Sequence, residues 1–119
     1  MIVIARFKTP IETVDVGMNE LTNAIKSDYA AWTNRNDINK EIRNEFIKRF
    51  DDGVKVTYGK KYAKIMRDNA VLGFVVIVDN DKKFAKGDLL KAASWSAPAR
   101  NFARGNLFTG GYIVNWTGI

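Results

Sequence analysis

The amino-acid sequence predicts an α+β domain in which two N-terminal amphipathic helices pack on a mostly antiparallel sheet. Two observations carry this. Apolar residues recur every three or four positions before Gly53 and closer to every second position after it. Short turn signals then divide the second part into extended runs. Helices that precede strands, rather than alternating with them, favour α+β. At 119 residues the chain suits a single domain, residues 1–119, with one modest core.

Residues 2–7 are rich in β-branched side chains and run into Thr9-Pro10, which suits a short strand ended by a turn. Met18, Leu21, Ile25, Tyr29 and Trp32 then form one helical stripe over 16–32, with Asp15 or Asn19 as caps. The polar stretch 33–37 breaks it. Ile38, Ile42, Phe46 and Phe50 recur every fourth residue and predict a second helix over 37–51, its other face charged. Strands follow at 54–58, 61–67 and 70–78, the first two joined by Gly59-Lys60 and the third apolar on both faces, as a central strand is. The segment 86–97 has room for a short helix with Asp88 as N-cap and Leu89, Leu90 and Ala93 facing inward, stopped by Pro98. Tyr112, Val114 and Trp116 alternate as a last strand over 112–116. The expected core includes Ile25, Ile42, Phe46, Phe74 and Val76.

Cys and His are both absent. Disulfides, Cys/His zinc sites, iron–sulfur clusters, imidazole catalysis and cysteine nucleophiles are therefore unavailable. Asp79-Asn80-Asp81 after an apolar strand has the look of a metal-binding DxD, but Lys82 and Lys83 follow at once and a polar turn is the simpler reading. Lys91 and Ser94 would share a helix face, the minimum for a Ser–Lys dyad, with no oxyanion hole in sight. The expectation is a protein that acts by binding, with no catalytic residue, cofactor or metal. No secretory signal is visible, and the longest internal apolar run is far short of the ~20 residues a membrane-spanning helix needs, which points to a soluble cytosolic protein with no membrane partner.

Charge is distributed unevenly. Residues 1–52 hold 8 basic and 9 acidic side chains, whereas 53–119 hold 11 basic and 4 acidic, so the second part carries a formal +7 against −1 in the first. Lys60, Lys61, Lys64, Arg67, Lys82, Lys83, Lys86, Lys91, Arg100 and Arg104 are the candidate cations for an anionic partner. Within 83–106 they interleave with Phe84, Trp95 and Phe102, as in a groove that tracks phosphates and stacks bases, with Trp95 the candidate stacking ring. The same rings suit core anchors, and the sequence leaves both readings open.

The run FAKGDLLKAASWSAPARNFARGN, followed after a spacer by WTG, resembles the C-terminal portion of small uncharacterised proteins encoded by tailed bacteriophages of enteric bacteria. The resemblance covers about residues 58–119 and transfers no functional residue. It implies expression in the cytoplasm of an infected bacterium and a role in redirecting or blocking host processes. The leading expectation is thus a nucleic-acid-binding accessory protein; the alternative is a protein-binding inhibitor of a host enzyme or defence factor, its basic face meeting an acidic host protein.

Overall fold

The structure, a computed structural model, describes residues 2–5, 12–35 and 39–119. In chain order it comprises β1 (Ile2–Ala5), α1 (Val14–Asn34), α2 (Lys40–Gly53), β2 (Val54–Tyr58), β3 (Tyr62–Arg67), β4 (Ala70–Val76), β5 (Leu89–Leu90) and β6 (Gly110–Val114). β2-β3-β4-β5 form a four-stranded sheet and β1-β6 a two-stranded one, with every pairing antiparallel. Both helices, the hairpin and the central apolar strand thus stand where the hydrophobic periods place them. The expected extension of β1 to Phe7, its Thr9-Pro10 turn, and Asp37 and Ile38 of the second helix lie outside the described residues.

Met18, Leu21, Ile25 and Tyr29 of α1 are buried against Ile65 of β3, Val75 of β4, and Tyr112 and Val114 of β6. The helix begins earlier than either expected cap, its N-cap two residues before Asp15 and six before Asn19. Thr13 holds the N-cap, its hydroxyl accepting from Val16 N at 3.2 Å, which satisfies one of the otherwise unpaired first-turn donors. Gly17 is buried there because a Cβ would stand 3.1 Å from Leu107 Cβ, so glycine lets that loop leucine pack on the helix. In α2, Phe50 stacks on Tyr29 with ring centroids 4.1 Å apart.

Two expected core residues are not core. Ile42 is 48% exposed and Phe46 40%, while Ile25, Phe74 and Val76 are buried as expected. Successive positions spaced by four drift around a helix of 3.6 residues per turn. α2 meets the rest of the molecule chiefly through its C-terminal end, so Phe50 is inside and the stripe before it faces out. Trp32 likewise stands at the exposed end of the α1 stripe.

β4 has both faces covered. Ile65, Leu72, Val75 and Leu89 pack toward the helices, whereas Phe74, Val76, Phe84 and Leu90 form a second cluster on the opposite, loop-covered side. A register shift at Ile65/Met66 inserts one residue in β4, which turns Leu72 to the helix side although it shares parity with Phe74.

The segment 86–97 contains no helix. Leu89 and Leu90 are consecutive and both fully buried, one opposite Val75 and the other opposite Phe74. Only an extended backbone sends neighbours to opposite faces. Asp88 is not an N-cap; its carboxylate accepts from Ala85 N and from Asn106 Nδ2, each at 2.9 Å. Ala93 is exposed, at the start of a tight excursion in which Ala93 N and Ser94 N both donate to Ala97 O. Lys91 and Ser94 therefore share no helix face. The last strand is Gly110–Val114 rather than 112–116; beyond it, Trp116 N donates to the buried Asp28 carboxylate at 2.8 Å, and Ile119 N to Leu72 O at 2.9 Å.

Candidate functional site

The register of the sheet sorts the basic residues by face. Thr57 lies opposite Lys64, and Lys64 opposite Phe74, so these three share the loop side with Tyr62, while Ile65 and Arg67 point the other way. Around them lies an open groove of about 350 Å³ lined by Thr57, Gly59, Lys60, Lys61, Tyr62, Lys64, Phe74 and Ser96. Its floor is aromatic, with Tyr62 and Phe74 edge to face at 5.9 Å. Its walls supply three lysines and two hydroxyls. Beside Ser96, Trp95 is 52% exposed, and Lys64 Nζ stands 4.0 Å from its ring centroid.

One wall is held by Asp81, whose side chain has no accessible surface. Oδ1 accepts from Lys83 N at 2.8 Å, from Phe84 N at 2.9 Å and from Arg100 Nη2 at 2.9 Å, and Oδ2 pairs with Lys61 Nζ at 2.9 Å. The Arg100 guanidinium foremost, then Lys61 and the two backbone donors, hold this carboxyl far below the usual carboxylate range. Arg100 in turn is raised above its ordinary value by the Asp81 hydrogen bond; it also donates to the Tyr62 hydroxyl and lies 4.8 Å from the Phe84 ring centroid. The Asp79-Asn80-Asp81 turn is thus a clamp joining the end of the hairpin turn, the 81–84 turn and residue 100. Among the described residues no group of three or more potential metal ligands occurs.

The eleven sequence-derived candidates divide accordingly. Lys60, Lys61 and Lys64 line the groove and Trp95 stands beside it. Lys61 and Arg100 are engaged by Asp81, and Lys83 Nζ donates to Arg100 O. Arg67 belongs to the helix side, 4.6 Å from the Phe50 ring centroid. Arg104 lies over Phe102 at 4.5 Å and lines a separate groove with Tyr112, Ile113 and Ile119. Lys82, Lys86 and Lys91 are not part of the groove lining. Of the three interleaved rings, Phe84 is core, while Trp95 and the 57% exposed Phe102 are surface. The sequence reading omitted Thr57, Tyr62, Phe74 and Ser96. Period-two alternation along 62–64 was a usable signal for Tyr62; nothing local marks Ser96.

Residues 6–112 match the model of a family of unknown function, DUF7717. The chain belongs to this family. The DUF7717 match takes in both helices, the entire four-stranded sheet and every residue that lines the groove. No curated protein and no solved structure matches the chain significantly. No helix among the described residues is long and apolar enough to cross a membrane.

Proposed function

We propose that the protein is a non-enzymatic binding protein that takes single-stranded nucleic acid along the loop side of its sheet. The observation that carries this is the half-exposed Trp95 ring with Lys64 Nζ 4.0 Å from its centroid, at the rim of a groove walled by Lys60, Lys61 and Lys64. A base offers a π-face to the indole while the flanking phosphates meet the ammonium groups, and Thr57 and Ser96 add hydroxyl donors. Such a site follows the strand by charge and stacking and reads little sequence. The resemblance to phage proteins supports the cytoplasm of an infected bacterium as the setting.

Fluorescence anisotropy with labelled single-stranded and duplex oligonucleotides tests this. Expected is tighter binding to single strands, with log K falling by about 0.7 per phosphate contact against log salt. Trp95→Ala should weaken single-strand binding by about 1–3 kcal/mol and leave the melting temperature in place, because the ring is largely outside the core. Affinity no better than about 100 μM at roughly 50 mM salt would overturn the reading. Inhibition of a host protein would then take its place, favoured by the exposed Trp32, Ile42 and Phe46 on the helices.

A further inference from the structure

The two edges of the four-stranded sheet differ. β5 is covered on its outer side, where Leu89 N donates to Gly105 O at 2.8 Å and Arg104 N to Leu89 O at 2.7 Å. β2 has no such cover among the described residues. The phase of its hydrogen bonds follows from two at its ends, Gly59 N to Tyr62 O at 2.9 Å and Asp68 N to Gly53 O at 3.0 Å. In an antiparallel ladder these alternate, so Lys55 and Thr57 turn their backbone groups toward β3, whereas Val54, Val56 and Tyr58 turn theirs outward. Val54, Val56 and Tyr58, in a five-residue strand without proline, thus present a row of donors and acceptors that no described residue covers.

We propose that this edge pairs with β2 of a second copy, antiparallel about a two-fold axis at Val56. The strand's own pattern selects that register. Outward groups must meet outward groups, and near the middle of the strand this allows an axis at Lys55, Val56 or Thr57. An axis at Lys55 sets that lysine against its own copy. An axis at Thr57 runs Val54 past the end of the partner strand. The axis at Val56 pairs all five residues: Val56 with Val56 of the partner subunit, Val54 with Tyr58 of the partner subunit, and Lys55 with Thr57 of the partner subunit. The first two pairs are apolar and lie on the helix side; the third is polar and lies on the loop side. A lysine on an edge strand ordinarily guards against pairing. With threonine two residues away it excludes one register and leaves another open.

The pairing completes the groove. Thr57, Lys64 and Phe74 form one row across the sheet, and the proposed register continues that row with Lys55 of the partner subunit. Each groove gains a cation from the other copy, and the two become one basic surface on eight strands. The dimer rests on the edge geometry alone; only its service to binding rests on the nucleic-acid reading.

Sedimentation equilibrium of the full chain, without nucleic acid, tests the dimer separately from binding. The expected mass is twice 13.4 kDa. Val56→Pro removes an outward N–H and no bond to β3, so it should give a folded monomer with an unchanged circular-dichroism spectrum. Thr57→Lys opposes lysine to lysine twice in each dimer and should raise the dissociation constant roughly tenfold, and adding Lys55→Glu should restore it. The charge pair decides the matter even where Val56→Pro fails to fold. A monomer at about 100 μM wild-type chain, a Val56→Pro variant that stays folded and dimeric, or a Thr57→Lys loss that Lys55→Glu does not repair would each overturn the proposal.

Discussion

Asp81 shows how one side chain can join distant chain segments. Its partners Lys61 and Arg100 come from either side of it in sequence; Lys61 lines the groove, and Arg100 donates to the hydroxyl of Tyr62, which also lines it. Because the folded state holds this carboxyl far below the value of about 3.9 it has in an unfolded chain, the unfolded state takes up a proton first as pH falls. The stabilisation is therefore complete above about pH 4 and is lost progressively below it, toward the folded-state value. Thermal melts from neutral pH into strong acid should show that decline. Asp81→Asn should melt lower at neutral pH and lose less between about pH 4 and 2. An unaltered acid profile in the variant would mean that the clamp contributes nothing.

Among the elements, α2 separates periodicity from burial. A stripe of Ile42, Phe46 and Phe50 marks a helix correctly, yet burial depends on which turn of the helix meets the sheet. Phe50, in the last turns, stacks on Tyr29 and lies beneath Arg67, while Phe46 faces outward. Phe50→Ala should therefore cost about 3–5 kcal/mol by denaturant unfolding, and Phe46→Ala only about 1 kcal/mol. Equal losses would place both rings in the core. The segment 86–97 makes the converse point. Its Leu, Lys and Ala residues are good helix formers, but pairing Leu89 and Leu90 with β4 buries both side chains and satisfies their backbone groups, which one face of a short helix cannot do.

For the molecule as a whole, the location of charge matters more than its sum. Each single basic residue contributes equally to the formal +6, but Lys60 and Lys64 share a groove while Arg104 lies elsewhere. Replacing Lys60 and Lys64 together with Ala should flatten the salt dependence of single-strand binding by roughly 1–1.5 log units per log unit of salt. Replacing Arg104 should change it by well under half of that. Equal effects would mean that nucleic acid is held by net charge without a defined site.

Hydrophobic period and turn residues are local, so both helices, the β2–β3 hairpin, the central character of β4 and the basic second part of the chain could be read from the order of residues. Absent chemistries were as legible, since no fold can create a thiol or an imidazole. The folded chain decided which cations share a face, which rings are core and what Asp81 does. Arg100 reaches Asp81 across 19 residues and Tyr62 across 38, and contacts at such separations depend on strand register and loop path, which no local window of sequence encodes. That is why Lys64 and Trp95, 31 positions apart, come together at the groove while Arg67, three residues from Lys64, faces the helices.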